Sequence, residues 1–470
     1  MAVLDGAEVA KHNTEKDCWV VINGKVWDVS DFLEKHPGGA SVISRYSGRD
    51  ASEAYDEVHD PELIIATLAE DRCLGTVRPG SLPEPQEETL ASTTATPVNP
   101  AYPHLGSIIN VDDFEKVAKQ YLTPTGWAYY AGGAEDEVCL MDTRRLFTMI
   151  TFRPRILRRV EPVSTAVKIL GHPSSLPIYI SPTGLGRYAY RNAESVLACA
   201  AGKEGVLYCM PTSAAHESVF AARSQPSQPL FFQLYTTRER TKAQIMIRKL
   251  ESLGAGALFL TVDSPVLGRR EQDERIKVTN TDSLAISSSV AKAGSLGLLN
   301  PMLSWEDLKW IRETTLMPLV LKGVQTVEDA VLAYSHGVQG IVLSNHGGRS
   351  LDTAQAPIVT LLEIRKHAPH LLAPEIRDKF QVFLDGGIRR GTDVLKALAL
   401  GASAVGIGRP FLYSMTANYG EAGVVRLLQM FREEIETSMA LAGARTVKEL
   451  VPEMVNSERA ESEMSRRIKL

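Results

Sequence analysis

The 470-residue chain has little cysteine, no long apolar run and no excess of positive charge. Its five cysteines show no close pairing, which argues against a disulfide framework or a zinc site. No window approaches the ~18 consecutive apolar residues of a transmembrane helix, so a membrane span is excluded. A formal net charge of −5 argues against nucleic acid as the main partner.

The N-terminal residues also lack a leader pattern. They contain neither the apolar core of a secretory signal nor the Arg-rich, acid-poor composition of a transit peptide. We therefore expect either a cytoplasmic protein or a mature form from which a leader has been removed.

The negative charge is concentrated near the N-terminus. Residues 1–80 hold 8 Lys and Arg against 15 Asp and Glu, a net charge of −7, whereas the rest of the chain holds 43 against 41. This asymmetry indicates either a basic macromolecular partner for the N-terminal part or an acidic surface that only aids solubility.

A segment rich in Pro, Ser, Thr and Glu divides the chain. It runs over residues 78–103, has no apolar periodicity and is typical of a linker. We predict a small domain at residues 1–78, a linker at 79–106 and a large domain at 107–470. The large domain is longer than most single domains, but a barrel with extensions reaches this size.

Eight short apolar runs recur through the large domain, with helical stretches between them. Near-continuous apolar strands are typical of a parallel sheet that is covered on both faces. Eight strand–helix units at a spacing of about 25 residues predict a TIM (β/α)8 barrel, an α/β fold. The long gap at 262–318 predicts a loop excursion. The runs are 177–181, 205–209, 230–234, 256–262, 318–322, 339–344, 381–385 and 403–407.

Polar side chains follow the ends of these runs, where a TIM barrel has its catalytic face. Such residues often only cap helices or satisfy turns. Because polar residues, among them acids, bases and cations, occur at all eight strand ends, an active site is favoured over helix capping alone. The residues are Thr183, Thr212, Gln233, Tyr235, Thr261, Asp263, Lys322, Asn345, His346, Asp385, Gly408 and Arg409.

The small domain contains a His-Pro-Gly-Gly sequence that begins at His36, and a second histidine at His59. Glycine lets the backbone approach a flat ligand, and two neutral imidazoles could occupy both axial positions of a haem iron. The segments AEVAKHN, DCWVVINGKVWDVSDFLEKHPGG and SGRDASEAYDEVHD resemble cytochrome b5, a small α+β haem domain. The resemblance implies haem b with His36 and His59 as axial ligands. With both positions filled, the haem is expected to carry electrons rather than activate O2.

Eight motifs follow one another through the large domain. They are WAYYAGGAEDE (127–137), FRPRIL (152–157), QLY (233–235), TVDSPVLGRRE (261–271), LKGV (321–324), SNHGGRSLD (344–352), DGGIRRGTDVLKALALGA (385–402) and GIGRPFLY (406–413). With these motifs the large domain resembles FMN-dependent L-2-hydroxy acid dehydrogenases and oxidases. With a cytochrome b5-like domain in front, the chain resembles the flavocytochrome b2 type, the L-lactate cytochrome c oxidoreductases. The resemblance implies a homotetramer, and the mitochondrial intermembrane space is the expected compartment if a leader has been removed.

The resemblance also implies the FMN contacts. A phosphate needs backbone N–H groups and arginines, and two Gly- and Arg-containing motifs follow the last two runs. Lys322 is expected beside the N1–C2=O edge of the flavin, where a positive charge stabilises the reduced anion. The predicted cofactor residues are Thr183, Thr212, Gln233, Thr261, Lys322, Asp385, Gly387, Arg389, Gly408 and Arg409.

Substrate handling requires a group that binds the carboxylate and a base. Arg349 can bind a carboxylate bidentately, with a third hydrogen bond from Tyr129. His346 could accept a proton, while Asp263 orients the imidazole and stabilises its cation as the acid of a triad does.

Two further residues complete the predicted catalytic set. Tyr235 is expected to bond the substrate hydroxyl, and Arg270 to add positive charge near the developing negative charge. The simpler interpretation makes His346 a structural turn residue and Arg349 a surface ion pair. The catalytic and substrate-binding set is Tyr129, Tyr235, Asp263, Arg270, Lys322, His346 and Arg349.

One segment departs from the family pattern. After Thr183 the family commonly continues into Gly-His/Asn-Pro-x-Gly-Glu, whereas this chain reads GLGRYAYRNAES, which predicts a different start for the following helix. Lactate-selective relatives usually place Ala and Leu at the positions of Gly184 and Ala214. The smaller residues here predict a pocket for 2-hydroxy acids bulkier than lactate.

These observations predict a flavohaem enzyme that oxidises an L-2-hydroxy acid to the 2-oxo acid. Electrons are expected to pass through FMN and haem to a cytochrome c-like acceptor. Two alternatives stay open: an oxidase of the same fold that reduces O2 to H2O2, and a non-catalytic haem-binding redox sensor.

Overall fold

The computed structural model describes residues 2–36, 40–59, 63–82, 102–279, 299–465 and 468. The described chain divides into two compact units, one ending at Tyr102 and one beginning at Pro103. Most of the predicted linker, the glycines of the His-Pro-Gly-Gly sequence and the centre of the predicted loop excursion lie outside the described residues. The domain boundaries at 78 and 106 stay predictions.

The first unit is a five-stranded sheet with short helices. Its strands are β1 (Ala2–Leu4), β2 (Asn13–Thr14), β3 (Asp17–Ile22), β4 (Lys25–Asp28) and β5 (Cys73–Val77), in the order β1-β5-β4-β3-β2. β1 pairs parallel with β5, and the other neighbours pair antiparallel. Its helices are Gly6–Val9, Ala40–Ser44, Ser52–Val58 and Leu63–Thr67, with 3-10 turns at Ser30–Lys35 and Glu70–Arg72.

The β3–β4 hairpin shows why this sequence forms the sheet. Asn23 and Gly24 join the two strands with φ of +52° and +76°, as a two-residue hairpin turn with left-handed residues requires. Side chains along β3 alternate between two apolar clusters. Cys18, Val20 and Ile22 pack on one face, and Val21 packs on the other.

The second unit contains a closed barrel of eight parallel strands. In chain order they are β9 (Ile178–Ile180), β10 (Leu207–Met210), β11 (Leu230–Leu234), β12 (Ala255–Thr261), β13 (Leu319–Val324), β14 (Gly340–Leu343), β15 (Gln381–Asp385) and β16 (Ala404–Ile407). β16 pairs with β9 and closes the barrel. Each strand overlaps one of the eight predicted apolar runs, so the predicted TIM barrel is confirmed.

Two layers of apolar side chains hold the barrel together. Tyr179, Phe231, Phe259 and Phe383 belong to a buried cluster of alternate strand residues. The intervening residues, such as Ile180, pack in a second cluster together with residues of the helices. This arrangement explains why the strands are apolar without a break in sequence, because both of their faces are covered.

The helices and the remaining strands of the second unit come before, between and after the barrel strands along the chain. The helices are Val111–Tyr121, Pro124–Ala131, Val138–Thr148, Ala193–Glu204, His216–Ala221, Arg240–Ser252, Glu271–Thr279, Asp307–Thr314, Val327–Ser335, Pro357–His367, Gly391–Ala399, Arg409–Met415, Gly420–Ala442 and Glu458–Glu461. The 3-10 turns are Leu105–Ser107, Gly186–Tyr188, Pro369–Leu372, Pro374–Ile376, Val447–Glu449 and Pro452–Met454. The short strands are β6 (Thr151–Phe152), β7 (Val167–Ile169), β8 (His172–Ser174) and β17 (Val455–Asn456). In the part of the chain described here, no helix is both long and apolar enough to cross a membrane.

Side-chain caps fix where several of these helices begin. Thr123 accepts a hydrogen bond from Gly126 N at 3.1 Å, at the start of the Pro124–Ala131 helix that carries Tyr129. Proline at the first position of that helix costs no hydrogen bond. In the segment that departs from the family pattern, Leu185 has a φ of +57° and the next α-helix begins at Ala193.

Candidate active site

His346, which is partly exposed, and the buried side chain of Asp263 form a hydrogen-bonded pair at the carboxyl ends of two barrel strands. The distance between His346 Nδ1 and Asp263 Oδ1 is 2.9 Å, and the Asp263 side chain has no exposed surface. Burial raises the pKa of Asp263, but the neighbouring His346 and Lys322 outweigh it, so the pKa lies below 3.8. Asp263 is therefore a carboxylate that holds the proton of the imidazole on Nδ1.

The turn that presents His346 has an unusual backbone. His346, Gly347 and Gly348 have φ of +60°, +65° and +75°. A left-handed conformation is uncommon for a residue with a Cβ, and it places the imidazole beyond the end of β14 (Gly340–Leu343). His346 N donates to Ser344 Oγ at 3.1 Å, which stabilises the turn.

Tyr235 occupies the other side of the imidazole. Its hydroxyl lies 3.2 Å from His346 Nε2, directly after β11 (Leu230–Leu234). Burial and the charge of Asp263 raise the pKa of Tyr235 to about 12. Tyr235 therefore stays protonated and can donate a hydrogen bond at the same place where His346 can accept a proton.

Lys322 supplies a buried positive charge on β13. Its Nζ lies 3.2 Å from Asp385 Oδ2 and 3.0 Å from Ser344 Oγ. Burial lowers the pKa of Lys322, but Asp385 and Asp263 outweigh it, so the net shift is upward and the ammonium is retained. The next residue, Gly323, has a φ of +109°, and a Cβ there would lie 2.5 Å from the Asp263 side chain. Glycine is required for these two strands to approach.

Arg349, Arg270 and Tyr129 form a positively charged corner. The Arg349 guanidinium carbon lies 4.6 Å from the Tyr129 ring centre, and that of Arg270 lies 5.9 Å from it. Arg349 Nη1 donates to the Tyr129 carbonyl, which anchors the arginine to the end of the Pro124–Ala131 helix. Burial and the neighbouring Arg270 lower the pKa of Arg349, so an anion bound here would relieve the repulsion.

The two groups of side chains are close enough to interact. Arg270 lowers the pKa of His346 and of Tyr235, and Tyr129 also acts on Tyr235. All seven predicted catalytic residues therefore lie at one end of the barrel.

The predicted flavin-ring contacts form one hydrogen-bonded chain across three strands. Gln233 Nε2 donates to Thr261 Oγ1 at 2.9 Å, and Gln233 Oε1 accepts from Thr212 N at 3.2 Å. The hydroxyl of Thr183 is buried and has no hydrogen-bond partner among the described residues. An unsatisfied buried hydroxyl after β9 (Ile178–Ile180) fits contact with a polar cofactor.

The predicted phosphate contacts follow β15 and β16. Gly387 has a φ of +76°, and a Cβ there would lie 2.3 Å from the Thr143 carbonyl. Arg389 forms an ion pair with Glu115 at 3.0 Å. Arg409 donates to the carbonyls of Tyr130, Gly132 and Gly347 at 2.6, 2.9 and 2.8 Å. The arginines and glycines at these strand ends are residue types that bind a phosphate group. Arg409 also connects the end of the Pro124–Ala131 helix to the turn that carries His346.

The first unit brings His36 and His59 together. Their ring centres lie 5.8 Å apart with an interplanar angle of 85°, and His36 is buried. Phe32 and Tyr55 pack against the two rings at 5.9 and 5.0 Å. Two imidazoles from separate segments lie together here, which fits the predicted pair of haem ligands.

Two family models match the chain. The model for FMN-dependent dehydrogenases matches residues 118–457, and that for cytochrome b5-like heme/steroid binding domains matches residues 5–81.

The chain belongs to the FMN-dependent dehydrogenase family.

Similar proteins and structures agree with this membership. The chain is 40% identical to L-lactate dehydrogenase (cytochrome) of Wickerhamomyces anomalus, over 96% of this chain and 79% of the relative. It is 42% identical to glycolate oxidase of Spinacia oleracea, over 73% of this chain and 94% of the relative. A solved flavocytochrome b2 variant, in which alanine replaces a leucine and benzoylformate is bound, superposes with a TM-score of 0.72 at 38% identity. The superposition covers 79% of this chain and 92% of the chain in that structure.

The two family models and the similar proteins confirm three predictions. The barrel is preceded by a cytochrome b5-like domain, the cofactors are FMN and haem b, and the chain is an oxidoreductase. The roles of individual site residues stay predictions.

Sequence reasoning missed two polar residues of the site. Ser344 Oγ accepts from Lys322 Nζ and from His346 N, so it links the buried cation to the base. Ser264 Oγ lies 3.1 Å from Asp263 Oδ1 and 3.3 Å from His346 Nδ1. Ser264 directly follows Asp263, and Ser344 lies two residues before His346. This closeness within the motifs is the signal that could have found them.

Proposed function

We propose that the chain oxidises an L-2-hydroxy acid, L-lactate or a bulkier analogue, and passes the electrons through FMN and haem b to a cytochrome c-like acceptor. The chain carries out FMN-dependent oxidation of a hydroxy acid and also has a haem domain. The identity of the hydroxy acid and of the electron acceptor is what we propose. The observation that carries the proposal is the Asp263–His346–Tyr235 chain beside the Arg349 corner.

Substrate binding follows from the charges of the site. Arg349 and the Tyr129 hydroxyl bind the carboxylate, which places the hydroxyl-bearing carbon toward His346. Tyr235 donates a hydrogen bond to the substrate hydroxyl, and Arg270 offsets the negative charge that develops there.

Proton transfer is assigned to His346. Its Nε2 accepts the proton of the substrate hydroxyl, because Nδ1 is already engaged with Asp263 at 2.9 Å. The hydrogen of the C–H bond and its electron pair would require a two-electron acceptor. Asp263 stabilises the resulting imidazolium without becoming protonated itself. FMN supplies a two-electron acceptor at this site, and haem supplies a one-electron carrier. Lys322, Gln233, Thr261 and Thr212 would hold the flavin ring.

Activity should decrease at acid pH. Burial lowers the pKa of His346 below 6.5, although Asp263 opposes the shift. A base must be neutral to accept a proton, so kcat/KM falls as pH falls through the pKa of the free enzyme. We expect kcat/KM for L-lactate to hold down to pH values below 6.5 and then to decrease with a one-proton dependence. An acid limb centred clearly above 6.5 would contradict the assignment of the base.

The substrate pocket should accept side chains larger than a methyl group. Gly184 and Ala214 stand where lactate-selective relatives usually have Ala and Leu, and the flavocytochrome b2 variant with alanine in place of a leucine holds benzoylformate. A Cβ on Gly184 would lie 3.1 Å from Ser213 Oγ, so the two loops meet here. Each methylene is worth about 1–3 kcal/mol of discrimination in a pocket.

This proposal predicts a weak preference for lactate. We expect kcat/KM values for L-phenyllactate or L-mandelate to come within a hundredfold of the value for L-lactate. Ala214→Leu is the matched variant and should lower the values for the aromatic acids more than that for lactate. A larger lactate preference in the parent chain would rule out the enlarged pocket.

The electron acceptor is tested by flavin reoxidation. Glycolate oxidase, which matches over 73% of this chain, makes O2 the alternative acceptor. The reduced enzyme should be reoxidised faster by cytochrome c than by air, whereas an oxidase would show the reverse. We also propose a homotetramer, by resemblance to the family, in the cytoplasm or the mitochondrial intermembrane space.

A further inference from the structure

We propose that Tyr188 is a positioning residue for substrate binding, which acts by holding the ring of Tyr129. The inference rests on the proposed function, in which Tyr129 and Arg349 bind the substrate carboxylate. Tyr188 lies in the segment where the chain departs from the family pattern, so the motifs assign it no role.

Tyr188 belongs to a cluster of three tyrosine rings. Its ring centre is 5.7 Å from that of Tyr129 and 6.1 Å from that of Tyr130, while Tyr129 and Tyr130 are 5.8 Å apart. These distances fall in the range of favourable aromatic pairs, and the angles are tilted or edge-to-face. The Arg349 guanidinium contacts the same Tyr129 ring at 4.6 Å. Tyr129 is therefore packed between two aromatic rings and the arginine.

The turn that carries Tyr188 is held by the same cluster. The Tyr130 hydroxyl donates to the Leu185 carbonyl at 2.6 Å and accepts from Ala189 N at 3.2 Å. Tyr130 is 1% exposed, so these bonds are shielded from water. A Cβ on Gly126 would lie 3.2 Å from Tyr188 Cβ, which shows how closely the helix and the turn approach. The Tyr188 ring consequently has little freedom to move away from Tyr129.

The position of the Tyr129 ring matters because its hydroxyl is at the far end of the side chain. A small rotation at Cβ moves the hydroxyl beyond the range of a hydrogen bond to a bound carboxylate. Tyr188 makes ring contacts with Tyr129 and Tyr130, on the helix that carries the predicted carboxylate-binding hydroxyl. Its loss should weaken the binding of substrate and ground-state analogues while proton transfer from bound substrate continues.

The test compares Tyr188→Leu with Tyr188→Phe. In Tyr188→Leu we expect KM for L-lactate and Kd for oxalate to rise about 3- to 10-fold, as loss of an aromatic pair predicts. The rate of anaerobic flavin reduction at saturating lactate should stay within about twofold of the parent rate. Tyr188→Phe keeps the ring and should restore both constants. Tyr188→Met serves as a second test if Tyr188→Leu fails to fold with FMN.

Tyr130→Phe is the matched control. It removes two hydrogen bonds of the same turn but keeps all three rings, so Tm should fall, while KM and Kd should rise less than in Tyr188→Leu. Unchanged constants in Tyr188→Leu, or a maximal rate that falls as much as KM rises, would overturn the proposal. Equal increases of KM in Tyr130→Phe would also overturn it, because the turn would then control binding. Failure of the proposed function would appear differently, as absence of flavin reduction in the parent chain.

Discussion

His346→Gln should slow flavin reduction by L-lactate by roughly 10²–10⁴, the usual contribution of a positioned general base. Glutamine keeps a polar side chain in the turn but cannot accept the proton at Nε2. Stopped-flow absorbance under anaerobic conditions measures this step directly. We expect the variant to retain FMN, because the predicted cofactor contacts lie on other strands.

The variant should still bind a substrate-like dicarboxylate. Arg349 and Tyr129 are unchanged, so Kd for oxalate should stay close to that of the parent chain. His367→Gln, at the exposed end of the Pro357–His367 helix, is the matched control and should reduce flavin at the parent rate. Near-parent flavin reduction in His346→Gln would remove the residue from the mechanism.

His36→Ala should abolish most cytochrome c reduction while leaving the first half-reaction intact. FMN can take two electrons from the substrate, whereas a haem iron takes one at a time. The substitution removes one of two imidazoles whose rings lie 5.8 Å apart, and the substrate residues all belong to the other unit. Anaerobic flavin reduction by L-lactate should therefore proceed at close to the parent rate.

Two further measurements complete this test: turnover with an artificial electron acceptor, and the dependence of cytochrome c reduction on ionic strength. Ferricyanide, a small acceptor, should still turn over in His36→Ala at a reduced rate, and His59→Ala should behave in the same way. In the parent chain, the net charge of −7 over residues 1–80 should steer a basic cytochrome, so its reduction should slow as ionic strength rises. Cytochrome c reduction at the parent rate in His36→Ala would mean that the haem is not on the electron path.

The fold was predictable because its signals are local. Each barrel strand is a short apolar run bounded by Gly or Pro, and its polar end residue points to the catalytic face. β11 (Leu230–Leu234) coincides with its predicted run at both ends. The His36–His59 pair could be proposed from sequence because a His-Pro-Gly-Gly sequence and its flanks are specific to one family.

Other features depend on tertiary contacts that no local pattern contains. The approach of Gly323 to Asp263 joins two strands, and the left-handed φ of His346 is set by the turn around it. Ser344 is a common residue type, and its two hydrogen bonds are visible only when Lys322 is in place. Tyr188 lies in the segment where the sequence departs from the family pattern. Only the folded structure shows that its ring lies beside that of Tyr129.

The most direct test of the central claim is an anaerobic absorbance spectrum of the purified protein before and after addition of L-lactate, repeated with L-phenyllactate. We predict that the flavin absorbance bleaches and that the haem bands sharpen in the same sample, since both cofactors receive electrons from the substrate. Protein that contains FMN and haem but shows neither change with either acid would contradict the account.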